Sequence, residues 1–460
     1  MQGLDEDSSS ILQHLRAIIS LGIRVSINRF KSMSFQPTNS KFEIREADLD
    51  NFIRKVDETG GPAASDFNER FGAFRYVPSV KVDEDLDPYS PAYVRDMFAL
   101  YEEISGTNYN PAVTELTEFE IERHVSEPTA YGLIDPTQIA LHFHRLSSAI
   151  RMANLPRGCT ILDMGCGWGL SSEFLAQCGY NVTAVDINPK FVELVRLRSQ
   201  RLGLPIDARR SSFEDFQSEE KYDGIVFYEC LHHAAKPWEL IEKLHATLKN
   251  DGKIILAGEP IQDLFWRNWG LRLDPLSIYC IRKYGWYESG WSLSFLKNMF
   301  ARCGMLAHVK LDPDPIVGLT ICAERFKIYS ANTSYSAVDF LVSNSDEWIV
   351  EGTTLVSTGL SQIELVRPVW ATEVEFIIMN HRGKPIGFTV KISEDVVYVR
   401  NLSPGVNHVK IILPQQVNNI TFVSDKWSPA NEFGSIDTRT LSFHLIEVIF
   451  MTSARVTAEK

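Results

Sequence analysis

The residues with the clearest chemical pattern in this 460-residue chain lie near its middle. Asp163-Met164-Gly165-Cys166-Gly167-Trp168-Gly169 alternates glycines with larger residues behind an acid. Glycine adopts backbone conformations closed to other residues and lets the chain pass close to a ligand. Dinucleotide loops read GxGxxG, whereas the spacing here is GxGxG. Taken alone, the triplet fits a ligand loop or a tight strand-to-helix turn. Asp186 stands 23 residues after Asp163, about one strand–helix–strand unit away. A carboxylate at that place can accept two ribose hydroxyls. Further along come Ser212-Phe213-Glu214-Asp215, then Tyr228-Glu229-Cys230-Leu231-His232-His233, and then Glu259. Imidazole titrates near neutrality, so His232 and His233 join Glu229 and Glu259 as candidates for a general base. A hard cation on Glu229 and Glu259 is an alternative use of the same oxygens, although no metal site is expected.

These residues need elements to hold them. Short apolar strands alternate with helices over about 155–328, the pattern of a parallel sheet. Strands are expected at 160–163, 182–186, 206–209, 222–228 and 253–257. The acids, Ser212 and Glu229 then fall at the carboxyl ends of strands, where open α/β sheets bind ligands. Asn188 and Pro189 suit an N-cap and a first helical turn. Upstream, Pro91 to Ser105 has one apolar face at helical spacing, and a second helix is expected over about 137–153. Residues 259–290 form a long insert, followed by a helix to about Cys303 and a hairpin over 306–329. Beyond about 331 the pattern changes to eight short runs of alternating apolar and polar residues, which predicts a β-sandwich. Three regions result: 1–130, mixed and mainly helical; 131–330, the α/β core; and 331–460, all β.

The glycine run resembles the DxGxGxG motif of class I S-adenosylmethionine (SAM)-dependent methyltransferases, and the resemblance covers roughly 150–325. It implies an α/β fold: a Rossmann-like, doubly wound, seven-stranded core. It also implies SAM as cofactor, leaving as S-adenosylhomocysteine. By this likeness Asp163 helps hold the methionine ammonium, while Gly165, Cys166, Gly167 and Gly169 pass close to the ligand. Asp186 and Ile187 follow at the ribose. Ser212, Phe213 and Glu214 border the adenine, and Tyr228 lies beside methionine and substrate.

The insert holds Trp266, Trp269, Tyr284, Trp286, Tyr287 and Trp291 among Arg272, Asp274 and Glu288. Rings and hydroxyl-binding groups together suit a sugar, and a packed aromatic lid or an oligomer contact is the alternative. Trp427-Ser428-Pro429 and Asp437-Thr438-Arg439-Thr440-Leu441 resemble runs in bacterial polysaccharide-assembly proteins. That likeness implies O-methylation of a sugar or glycan acceptor. A small-molecule or lipid acceptor, and a non-catalytic glycan-binding scaffold, are the alternatives. Tyr131 with His142 or His144 is a further candidate wall of the pocket.

Composition limits the partners. The net charge is −13 and no long Lys/Arg run occurs, which argues against a nucleic-acid partner. Apolar residues make up 44% and charged residues 23%, the balance of a globular protein. Seven cysteines, an odd number without a CxxC pair, point to reduced thiols and a cytoplasmic setting. Residues 11–30 are apolar but interrupted by His14, Arg16, Arg24 and Arg29, too charged to span a bilayer. An amphipathic helix there suits a subunit contact, a homo-oligomer, or peripheral contact with a membrane or glycan-assembly partner.

Overall fold

The computed structural model describes residues 42–451 apart from 63, 65, 132–134, 262–264, 313–317, 326–333, 337–347, 352–353, 358, 365–370, 393–394, 415–418 and 434–440. The amphipathic run at 11–30 and the Asp437–Arg439 pair lie outside the described residues.

Seven strands form the central sheet: Thr160–Met164, Asn181–Asp186, Ile206–Arg210, Tyr222–Tyr228, Leu248–Ala257, Met305–Leu311 and Leu319–Arg325. Numbered along the chain, their order in space is sixth, seventh, fifth, fourth, first, second, third. The first five pair in parallel, which gives the expected Rossmann-like core. Strand order reverses between the first and fourth strands, and a crevice opens there at the carboxyl ends.

Local chemistry sets the helix ends. Asn188 Oδ1 accepts from Lys190 N, Pro189 occupies the first turn of Pro189–Leu202, and Gly203 closes it in the left-handed conformation. The helix Pro91–Ser105 is capped in the same way by Ser90 and Gly106. The helix Pro136–Ala153 leads into the first core strand.

Two elements differ from the expectation. The fifth strand begins at Leu248, ahead of the polar run Lys249-Asn250-Asp251-Gly252. Lys249, Asn250 and Asp251 are exposed and Gly252 is buried, yet the run continues the strand, with a shift of register against Tyr222–Gly224. The insert contains a helix, Pro275–Tyr284, capped by Asp274 and ended by Gly285 at φ 75°. It also contains a two-stranded ribbon that pairs Trp269–Leu271 with Ser289–Trp291.

The chain forms two compact units. The first runs through Ser292 and includes Lys310–Ala323, so the described residues on both sides of position 130 belong to it. Tyr93 Oη donates to Trp269 O, and Tyr101 Oη to Gly285 O, each 2.6 Å, fastening the Pro91–Ser105 helix to the insert. The second unit holds Leu293–Val309 and residues from Glu324 onward. Its β region has a six-stranded and a four-stranded sheet. Along Glu373–Asn380 every second residue is buried. Phe376 meets Phe422 of the other sheet edge to face, with ring centroids 5.2 Å apart. This is the expected sandwich. Among the described residues no helix is long and apolar enough to cross a membrane.

Candidate active site

A cavity lies at the carboxyl ends of the first, second and fourth core strands. Its wall is formed by Gly165–Trp168, Asp186, Ile187, Phe213, Glu214 and Tyr228–Cys230 from the core. Tyr109, Glu115, Tyr131, His233 and Trp286 complete it from outside the glycine loop.

Gly165, Gly167 and Gly169 all have positive φ, at 66°, 49° and 87°. A Cβ on Gly165 would stand 2.9 Å from Cys230 Cβ and 3.2 Å from the Phe213 ring. A Cβ on Gly169 would come 2.7 Å from Val195 Cγ2. Gly169 therefore shapes the turn from behind and is not on the cavity wall, and Gly167 has open space beside it.

Asp186 holds this loop to the second strand. Its Oδ2 accepts from Gly167 N and its Oδ1 from Asn188 N, each at 2.8 Å. Burial pushes its carboxyl up to about 6, against the pull of these amides. Asp163 is fully buried behind the wall, where its Oδ2 accepts from Ser171 Oγ at 2.7 Å and Ser172 Oγ at 2.5 Å. Its Oδ1 has no hydrogen-bond partner. Burial and the charge of Asp186 raise its carboxyl to about 6, again opposed by hydrogen bonds.

The 211–215 segment divides. Phe213 and Glu214 face the cavity, and Lys243 Nζ fixes both through their carbonyls at 2.7 and 2.8 Å. Ser212 turns inward to its own loop: its Oγ donates to Asp215 Oδ2 and accepts from Asp215 N. Ser211 takes the place on the wall that Ser212 was expected to hold.

The candidate bases also separate. Glu229 lies on the wall at φ 53°, an uncommon conformation outside glycine. Its Oε1 accepts from Arg145 Nη1 at 2.6 Å, while its Oε2 is buried without a hydrogen-bond partner. Burial raises its carboxyl to about 7; Arg145 and His232 pull it down and Glu259 pushes it up. Glu259 sits beneath the turn Leu231–His233 and away from the wall. It accepts from the amides of Cys230, Leu231 and His232 and from His232 Nδ1, at 2.9 to 3.2 Å. Four hydrogen bonds make Glu259 the anchor of this turn. His232 is buried behind the wall; burial works against its protonation, but the bond and charge of Glu259 and the charge of Glu288 outweigh it and raise its pKa. His233 reaches the wall, and burial together with the His232 charge lowers its pKa well below the usual range.

Tyr228 Oη hydrogen-bonds His142 Nδ1, which locates His142 behind the wall, whereas Tyr131 is on it. His144 lies beside Asp312 at 3.3 Å. Tyr109, Glu115 and Trp286 carried no motif, and only the aromatic content of the insert pointed toward Trp286. None of the seven cysteines is in a disulfide.

Residues 162–256 match the family model of the methyltransferase domain. Among curated proteins, the ubiquinone biosynthesis O-methyltransferase of Xanthomonas axonopodis pv. citri is 38% identical over 104 residues, 22% of this chain and 44% of that protein. The protein of the same name from Xanthomonas oryzae pv. oryzae is 30% identical over 160 residues, 33% of this chain and 65% of that protein. The chain thus spans about half the length of the curated relatives it matches. Among solved structures, the 1,6-didemethyltoxoflavin-N1-methyltransferase of Burkholderia thailandensis, with bound S-adenosylhomocysteine, covers 42% of this chain and 80% of its own, at 20% identity and a TM-score of 0.33. The magnesium protoporphyrin IX methyltransferase of Synechocystis covers 45% and 93%, at 16% identity and a TM-score of 0.34.

Proposed function

We propose that this chain transfers the methyl group of SAM to an oxygen of a small, ring-bearing acceptor held in the cavity. The charge of the cavity wall carries this reading. Asp186, Glu214 and Glu229 line it beside Glu115, whose carboxyl burial holds well above the usual range, and among the described lining residues there is no lysine or arginine. Such a wall favours a ligand with a sulfonium and an ammonium, and it repels the pyrophosphate of a dinucleotide. Asp186 meets the ribose hydroxyls, and Phe213 covers the adenine.

Methyl transfer needs little beyond placement, because the sulfonium carbon is already electrophilic and an in-line oxygen near 3 Å supplies much of the rate. The S–CH3 bond breaks, leaving neutral S-adenosylhomocysteine, the O–CH3 bond forms, and the hydroxyl proton must leave. Glu229 is the proton acceptor in this reading. Its Oε2 is unpartnered and its carboxyl titrates at about 7, the range a base requires. Oxygen as the methylated atom follows the names of the relatives, which are O-methyltransferases.

Tyr109, Tyr131 and Trp286 on the wall favour a flat ring as acceptor. The polar residues of the insert, expected at sugar hydroxyls, are occupied elsewhere: Arg272 pairs with Asp274 at 3.1 Å, and neither lies on the wall. Methyl-labelled SAM incubated with separate glycan and small-molecule or lipid extracts decides the class. Label is expected in the small-molecule or lipid fraction. Label confined to glycan would overturn the ring-bearing acceptor in favour of a sugar, and no label in either would overturn methyl transfer.

A further inference from the structure

We propose that His232, His233 and Glu288 bind one first-row divalent cation of the zinc type at the edge of the cavity. One ligand atom of each lies within 4.8 Å of the other two. His232 Nε2 and Glu288 Oε2 are already 3.8 Å apart. A tetrahedral ion with bonds near 2.05 Å holds its donors about 3.3 Å from one another, so small side-chain shifts close the site.

The histidines are prepared for this. His232 Nδ1 hydrogen-bonds Glu259 Oε2, which leaves Nε2 turned toward Glu288, where a cation takes the place of its proton. A carboxylate behind an imidazole is the arrangement that fixes metal-binding histidines. Here that carboxylate is itself fixed by three backbone amides. Ser289 Oγ donates to His232 O at 2.6 Å and ties the same turn to the insert ribbon. His233 Nδ1 is buried and makes no hydrogen bond, with Glu115 Oε2 3.4 Å away.

Charge points the same way. Glu288 and Asp274 flank one guanidinium, that of Arg272, which is 3.1 Å from Asp274 and 3.6 Å from Glu288, and Glu259 adds a further carboxylate against His232. A dication offsets the remaining negative charge. Two imidazole nitrogens and one carboxylate suit zinc-type ions, whereas magnesium and calcium take oxygen donors. Three protein donors leave a coordination position open, and His233 carries the site to the cavity wall. There a cation binds the acceptor hydroxyl and eases loss of its proton. That role rests on the proposed methyl transfer, whereas cation binding does not.

The test is titration of the chelator-treated full chain with Co2+, followed by visible absorption, with Zn2+ as competitor. One equivalent is expected, with ligand-field bands of a four- or five-coordinate ion that Zn2+ abolishes. Glu288→Gln and His233→Asn are expected to weaken binding by roughly 100-fold, and Glu259→Gln by about 10-fold. Circular dichroism and thermal unfolding on the same samples report that Glu288→Gln and His233→Asn remain folded. Absence of saturable Co2+ binding, or wild-type binding in both of these variants, overturns the site. Stoichiometric Co2+ binding in a protein that transfers no label from SAM leaves the cation site standing and overturns the methyltransferase reading.

Discussion

Asp186 has two tasks, and its substitution affects both. Each carboxylate oxygen accepts one amide, from Gly167 or from Asn188, and retains a lone pair for a hydroxyl. Asp186→Ala is expected to lower SAM affinity by roughly 100-fold and to cost about 1–3 kcal/mol of stability, because two amides lose their acceptor. Calorimetry and denaturant unfolding measure the two effects, and wild-type SAM affinity would refute the ribose contact. The pH dependence follows from the raised carboxyls. Asp186 at about 6 and Glu229 at about 7 are protonated below those values. The stability of the ligand-free protein is therefore expected to rise as pH falls from about 8 toward 5, since ionised buried carboxylates disfavour the fold. SAM affinity should change in the opposite direction, weakening below about pH 6, with protons released on binding near that pH. Calorimetry in buffers of different ionisation enthalpy reads this release. Glu229→Gln should reduce turnover by about 100-fold or more while SAM affinity changes little.

At the scale of elements, the site depends on two turns. The first is the glycine loop after Thr160–Met164, where Gly169 combines φ 87° with a Cβ position 2.7 Å from Val195. Gly169→Ala is expected to destabilise by about 1–3 kcal/mol through strain alone, as a lower denaturation midpoint. The second is Leu231–His233, held by Glu259. Many of these elements were readable from sequence, because caps and breakers are local: Pro91 and Asn188-Pro189 stand at observed helix starts. The helix Pro275–Tyr284 shows the limit. Asp274-Pro275 and Gly285 are equally local signals, but the dense aromatic pattern around them pointed to a sugar-binding insert and not to a helix.

For the whole molecule, two compact units predict two responses to ligand. Calorimetric unfolding is expected to show a transition that SAM raises, belonging to the unit with the cavity, and a second one for the β-sandwich unit that SAM leaves in place. A single transition shifting as one would show that the units unfold together. The sequence by itself determined the α/β core, the sandwich and the strand ends at which Asp163, Asp186 and Glu229 stand, because periodicity, glycine spacing and caps are properties of neighbouring residues. Only the tertiary structure decided which of those side chains face the cavity. Asp163 went behind the wall to two serines, Ser212 yielded its place to Ser211, and Glu259 turned to three amides. It also brought in Tyr109 and Glu115 from before the core and Trp286 from after it. A side chain's direction depends on which buried polar groups compete for it, and those competitors come from residues distant in sequence that meet only once the chain has folded.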